Sequence, residues 1–181
     1  GRYSVLSEVG MLPAELMNLN VKKFKQFNEL IKDKKFINDI INSVSTTLNL
    51  LKSRRYASII LNYDEQSEKF FKWYQQLIAE SLGKKSKGFL PVISSMPKDN
   101  HSLMQLYLDG PQKNFYTIFN VLENEDIKIK NQRILDSHKY LKNKSIEDIK
   151  QSQILATERV FKKKKIPFRS FSVLKRNEQT L

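Results

Sequence analysis

Apolar residues recur at three- and four-residue intervals across residues 70–78, where Phe70, Phe71, Tyr74, Leu77 and Ile78 predict an amphipathic helix. Gly83 follows as its stop, by the left-handed conformation that glycine accepts at helix ends. The same spacing runs through the first 51 residues. Val5, Leu6, Val9, Met11, Leu12, Leu16 and Met17 predict a buried helix interrupted near Pro13, which suits the first turn of a new helix. Phe24, Phe27, Leu30 and Ile31, then Ile37, Ile40, Ile41, Val44, Leu48 and Leu51, predict two or three helices wrapped on a sheet.

Between these segments the pattern changes from helical spacing to short continuous runs. Residues 56–63, YASIILNY, read as a buried parallel strand, with Asp64 placed to cap the helix that follows. Residues 88–95 read as extended, residues 114–121 (NFYTIFNV) as a second strong strand, and residues 168–175 as a third by their alternating phenylalanines. Pro97, Asp99 and Asn100 signal a helix start before Leu103, Met104, Leu106 and Tyr107. Residues 122–144 are polar and read as an excursion. Ser145 and Asp148 form a capping box for a helix reaching about residue 164, with Ile146, Ile149, Ile154, Val160 and Phe161 inward. Lys162, Lys163, Lys164 and Lys165 lie in its last turn, where cations suit the helix dipole, and Pro167 prevents continuation. Strands alternating with helices predict an α/β domain with a mainly parallel sheet.

Composition narrows the class. The 181 residues are 40% hydrophobic and 28% charged, a globular balance that supports one core, or one domain and part of another. There is no cysteine, which excludes disulfides and thiolate metal sites and fits the cytoplasm. No apolar run reaches the roughly 20 residues of a membrane span, and no membrane partner is expected. The net charge of +13 invites a nucleic-acid reading. Against it, the basic residues are mostly lysines spread along the chain. The aromatics fall on apolar positions instead of interleaving with them as a stacking surface requires. No nucleic-acid partner is expected. The charge instead suits attraction of a small anion.

Two groups carry candidate chemistry. Glu80 lies in the last turn of the helix through residues 70–82, one turn after Gln76 on the same face. The negative helix end disfavours a carboxylate there, which suits a proton shuttle. His101 lies in a first turn, where the positive end favours a neutral ring able to give or accept a proton. A solvated helix-end glutamate and a structural histidine are the plain alternatives. No glycine-rich phosphate cradle is present, which argues against a nucleotide hydrolase, and no clustered metal ligands occur.

The wording around these residues adds a further reading. GRYSVLS at residues 1–7, ESLGK at residues 80–84 and HSLMQLY at residues 101–107, in that order, resemble the glucose-6-phosphate isomerase family in its compact bacterial-type branch. The resemblance is clear to about Gly110 and looser beyond. It implies the sugar-isomerase type of doubly wound, mainly parallel sheet sandwiched by helices. Residues 1–52 would close a first such domain and residues 53–181 would form most of a second, truncated at its C-terminus. It implies interconversion of glucose 6-phosphate and fructose 6-phosphate through an enediolate, in the cytoplasm, with no cofactor, by a homodimer. Glu80 would move the proton between carbons and Gln76 would contact the sugar phosphate. His101 would assist ring opening from the neighbouring subunit, and Arg2 would stabilise the enediolate charge. The family's Ser/Thr-rich phosphate loop would lie upstream and its essential lysine downstream, so residues 1–181 alone are expected to be nearly inactive. A non-catalytic sugar-phosphate sensor on the same fold is the alternative.

Overall fold

A computed structural model describes residues 3–24, 27–123, 128–129 and 134–177, apart from the side chains of residues 27 and 28. Four strands, β1 (Ala57–Asn62), β2 (Leu90–Ser95), β3 (Asn114–Val121) and β4 (Phe168–Val173), form one sheet in the order β2-β1-β3-β4. Every pairing is parallel, with Ala57 opposite both Leu90 and Asn114, and Tyr116 opposite Phe168. The central strands are continuous apolar runs, as a strand covered on both faces must be. Edge strand β2 carries Pro91, tolerated because an edge leaves one row of backbone donors unpaired.

Helices lie on both faces. α5 (Glu68–Leu82) connects β1 to β2 and packs Phe71, Phe70 and Tyr74 against Ile60, Phe119 and Val121. Leading from β2 to β3 are α6 (Asp99–Ser102) and α7 (Met104–Asp109), and from β3 to β4 α8 (Ile146–Lys163). Both connections cover the opposite face, where Tyr107, Ile154 and Phe161 meet Ile59, Leu61, Tyr116 and Ile118. The molecule is an α/β fold with helices on either side of an all-parallel sheet. The connections change face between β1 and β3, which makes that pair of carboxyl ends the topological switch point.

The capping box forms: Ser145 Oγ accepts from the Asp148 backbone, and Asp148 accepts from that of Ser145. Inward on α8 are Ile154, Thr157 and Phe161, while Ile146 and Val160 face outward. Val160 is one residue, and therefore about 100° of helix, away from the fully buried Phe161. All four lysines from 162 to 165 are exposed, and Lys164 pairs with Asp109.

The N-terminal helices depart from the sequence reading. α1 (Glu8–Leu16) runs through Pro13 without interruption, and Ala14 is its one buried residue among those described. Val9, Leu12 and Leu16 face outward, so this helix is not buried. α2 (Val21–Phe24), α3 (Phe27–Leu30) and α4 (Lys34–Lys52) give the expected number of helices. Ile40, Ile41, Val44 and Leu48 nevertheless turn outward on α4, so it covers the sheet with only part of its apolar surface. No helix among the described residues is long and apolar enough to cross a membrane.

Candidate functional site

Residues 70–82 form a helix because their apolar positions share one stripe, and that stripe is seated on the sheet. α5 descends from the carboxyl end of β1 to the amino end of β2, where Gln75 Nε2 donates to Pro91 O at 2.7 Å and locks its lower half. One residue on, Gln76 Nε2 donates to Glu80 Oε1 at 3.0 Å. Both side chains are solvent-accessible, as the spacing predicts for positions beside the stripe. The amide hydrogen bond orients the carboxylate along the helix face.

Gly83 ends α5 in a way the sequence reading did not anticipate. Its φ of −73° and ψ of 61° are not left-handed. Glycine is required instead because a Cβ would sit 2.5 Å from Ala79 O. Positive φ comes further on, at Lys85 (52°), Ser86 (59°) and Gly88 (109°).

The chain's first described residue meets this helix end. Tyr3 Oη donates to Ser81 Oγ at 2.9 Å, a contact across 78 residues. It brings Tyr3 to the turn that carries Glu80. Arg2 lies outside the described residues.

His101 is elsewhere. Asp99 Oδ2 accepts from Ser94 Oγ at 2.9 Å and from the Ser95 backbone at 2.8 Å, which ties α6 to the carboxyl end of β2. Tyr107 Oη donates to Ser94 at 3.3 Å and extends this network into α7. Burial raises the Tyr107 phenol, the bond with Ser94 partly offsets this, and the Asp99 charge raises it again. The network holds His101 exposed in a four-residue helix, too short for a substantial dipole. Glu80 and His101 therefore occupy opposite ends of β2, a strand of six residues. That length corresponds to about 17 Å, and α5 and α7 belong to opposite layers. Within one chain the two groups do not meet.

Sequence reasoning missed the polar group at the switch point. Arg176 Nη1 reaches Asp64 Oδ1 at 3.1 Å, and its Nη2 reaches Glu123 Oε2 at 2.9 Å, bridging the carboxyl ends of β1 and β3. Ser67 Oγ donates to Asp64 Oδ2 at 2.5 Å, so Asp64 does fasten the start of α5, although through a hydroxyl and not by a backbone cap. Ligands of doubly wound sheets commonly enter here; in this chain its own ion pairs fill the place. Their partners are 112 and 53 residues apart, so no local signal marks them. Among the described residues no three His, Asp or Glu side chains gather to hold a metal.

An all-parallel α/β sheet with a carboxylate–amide pair at the foot of one crossover helix is the class this geometry defines. Comparison with known proteins adds names. The chain is 32% identical over 187 residues to a probable glucose-6-phosphate isomerase of Methanococcus maripaludis, covering all of this chain and 42% of that protein. It is 33% identical over 127 residues to a glucose-6-phosphate isomerase of Methanocaldococcus jannaschii, covering 65% of this chain and 30% of that one. Against the Staphylococcus epidermidis glucose-6-phosphate isomerase it is 34% identical over 157 residues, covering 82% and 35%. The chain thus spans less than half the length of the curated relatives it matches. A crystal structure of a hypothetical Thermus thermophilus protein superposes with a TM-score of 0.82 at 22% identity, over 99% of this chain and 45% of that one. This likeness concerns the fold. No family model matches the chain.

Proposed function

We propose that this chain is part of a glucose-6-phosphate isomerase, a cytoplasmic enzyme that interconverts glucose 6-phosphate and fructose 6-phosphate without a cofactor. The observation that carries this reading is the meeting of two separated motifs. Tyr3 of GRYS bonds Ser81 of ESLGK, beside a Glu80 already paired with Gln76. Supporting it are the relatives of that name, each matched over less than half its length.

In this reading Glu80 is the base. Aldose–ketose exchange removes a proton from the carbon beside the carbonyl and returns it to the adjacent carbon, through an enediolate. A carboxylate held by an amide from the same helix face is oriented for both transfers. Gln76 adds a donor for a sugar hydroxyl. Arg2, one residue before Tyr3, stabilises the charge that develops on the enediolate oxygens. His101 opens the sugar ring as a group lent by a second copy, so the working unit is a homodimer. The fold is then of the sugar-isomerase type, with residues 1–52 ending one such domain and residues 53–181 forming most of another. Residues 1–181 alone would turn over negligibly, because the phosphate-binding loop and the essential lysine belong to the remainder of the enzyme.

The test is fructose 6-phosphate formation by the full reading frame, wild type beside Glu80→Gln. Loss of a general base costs about 10²–10⁴-fold in kcat, with sugar-phosphate binding retained. Wild-type turnover unchanged by the substitution removes Glu80 from the role of base. Binding without turnover in the wild type replaces the enzyme with a sugar-phosphate sensor.

A further inference from the structure

A cleft between α4 and the sheet lies outside the site described above. Its volume is about 370 Å³, within the range of small-molecule pockets. Phe115 and Phe171 supply its aromatic surface, Ser43 and Thr46 its α4 wall, and Arg169 its cation. β4 is three places from β2 in the sheet, about 14 Å, which separates this cleft from the foot of α5.

Arg169 is held as a donor without an acid to satisfy it. Its Nε donates to Thr117 Oγ1 at 3.0 Å, its Nη1 donates to Ser43 Oγ, and its guanidinium lies 5.2 Å from the Phe171 ring centroid. One residue on β3, one on α4 and the Phe171 ring therefore position the group. No ion pair among the described residues includes Arg169, and its Nη2 makes no hydrogen bond to a described residue. The Ser43 hydroxyl accepts from Arg169, which leaves its own proton for another acceptor. Tyr74 is a titratable neighbour that senses this cation: burial raises its phenol, and Arg169 partly counters the rise. Phe171 remains 50% exposed, an aromatic face left open beside the charge.

A positioned guanidinium with no carboxylate partner among the described residues and an open Nη2 selects an oxyanion, and a phenylalanine-lined cleft beside it selects a flat apolar body. We propose that the α4–β4 cleft binds a small organic anion, with a carboxylate or phosphate head on Arg169 and Ser43 and an aromatic body against Phe115 and Phe171. This goes beyond the isomerase reading, since it uses none of Gln76, Glu80 or His101.

The test titrates the ¹⁵N-labelled 181-residue chain separately with phenyl phosphate, benzoate and the uncharged benzyl alcohol, following backbone amides. Saturating shifts in residues 42–50 and 167–171 are expected for at least one of the two anions, with benzyl alcohol much weaker. Arg169→Gln should weaken the anion by about tenfold or more, through loss of a charge-assisted bond. Thr46→Trp, at an exposed position on the cleft wall, should block binding while keeping Arg169, and it carries the test if Arg169→Gln does not fold. The proposal is overturned by absence of saturation up to about 10 mM. Equal binding of benzyl alcohol, shifts confined to residues 76–81, or undiminished binding in the folded variants also overturns it.

Discussion

If Glu80 and His101 serve one reaction, the separation along β2 has a numerical consequence. They lie at opposite ends of a strand about 17 Å long and in opposite layers, yet an acid or base must lie about 2.6–3.2 Å from the atom it serves. One small substrate cannot satisfy both within a single chain. In a two-fold dimer each site would take Glu80 from one copy and His101 from the other. Glu80→Gln and His101→Ala chains of the full reading frame are each expected to be nearly inactive. Denatured together in equal amounts and refolded, they pair at random, so about half the dimers are mixed. A mixed dimer has one site with both groups and one with neither, and the mixture should recover about one quarter of wild-type activity. Refolding wild type with an equal amount of the double variant gives the reciprocal result. Every mixed dimer then lacks one group at each site, so activity falls to about one quarter of the all-wild-type value; sites confined to one chain would leave one half. The assay is coupled fructose 6-phosphate formation, with mixed dimers counted by native mass spectrometry. Mixed dimers that form without recovered activity would refute the shared site.

Three further outcomes concern the folded chain itself. Phe161→Ala removes a fully buried ring that contacts Tyr116 and Phe168, and should destabilise the fold by about 3–5 kcal/mol in urea titration. Ser145→Ala breaks the capping box of α8 and should cost about 1 kcal/mol by the same measurement. The hydrogen bond and charge of Lys164 hold Asp109 below the ordinary 3.8. A carboxyl depressed on folding adds stability above its unfolded value, and loses it as pH falls through the folded one. Lys164→Ala should therefore lower the melting temperature at neutral pH and have a vanishing effect well below pH 3.8.

Elements were legible where the chain satisfies local and global demands together. Residues 114–121 are apolar, β-rich and central, and the strand has those bounds. The Ser145–Asp148 box is a contact between residues three apart, so spacing alone contained it. β2 was harder to distinguish from a plain extended segment, because Pro91, Ser94 and Ser95 dilute its pattern at the edge of the sheet. Gln76 and Glu80 were readable as a pair because a helix makes residues four apart into neighbours. The Tyr3–Ser81 contact and the Arg176 bridge join distant residues, and periodicity has no access to them.

The N-terminal departure has a different cause. Periodicity reports that a helix has an apolar face; it does not report what that face meets. α4 shows both halves of the distinction, with Asp33 accepting from the Lys35 and Phe36 backbones at its start and Ile41, Val44 and Leu48 outward along its length. On α1 nearly the whole apolar face is open. Contiguous apolar surface of this kind marks an interaction site. The expectation of a buried helix therefore fails for α1: the pattern states a requirement for burial, and the described residues meet it for α5 and α8 but only in part for α4. On the proposed isomerase reading, residues 1–52 belong with another domain, so packing against the remaining length of the enzyme is the burial their pattern requires.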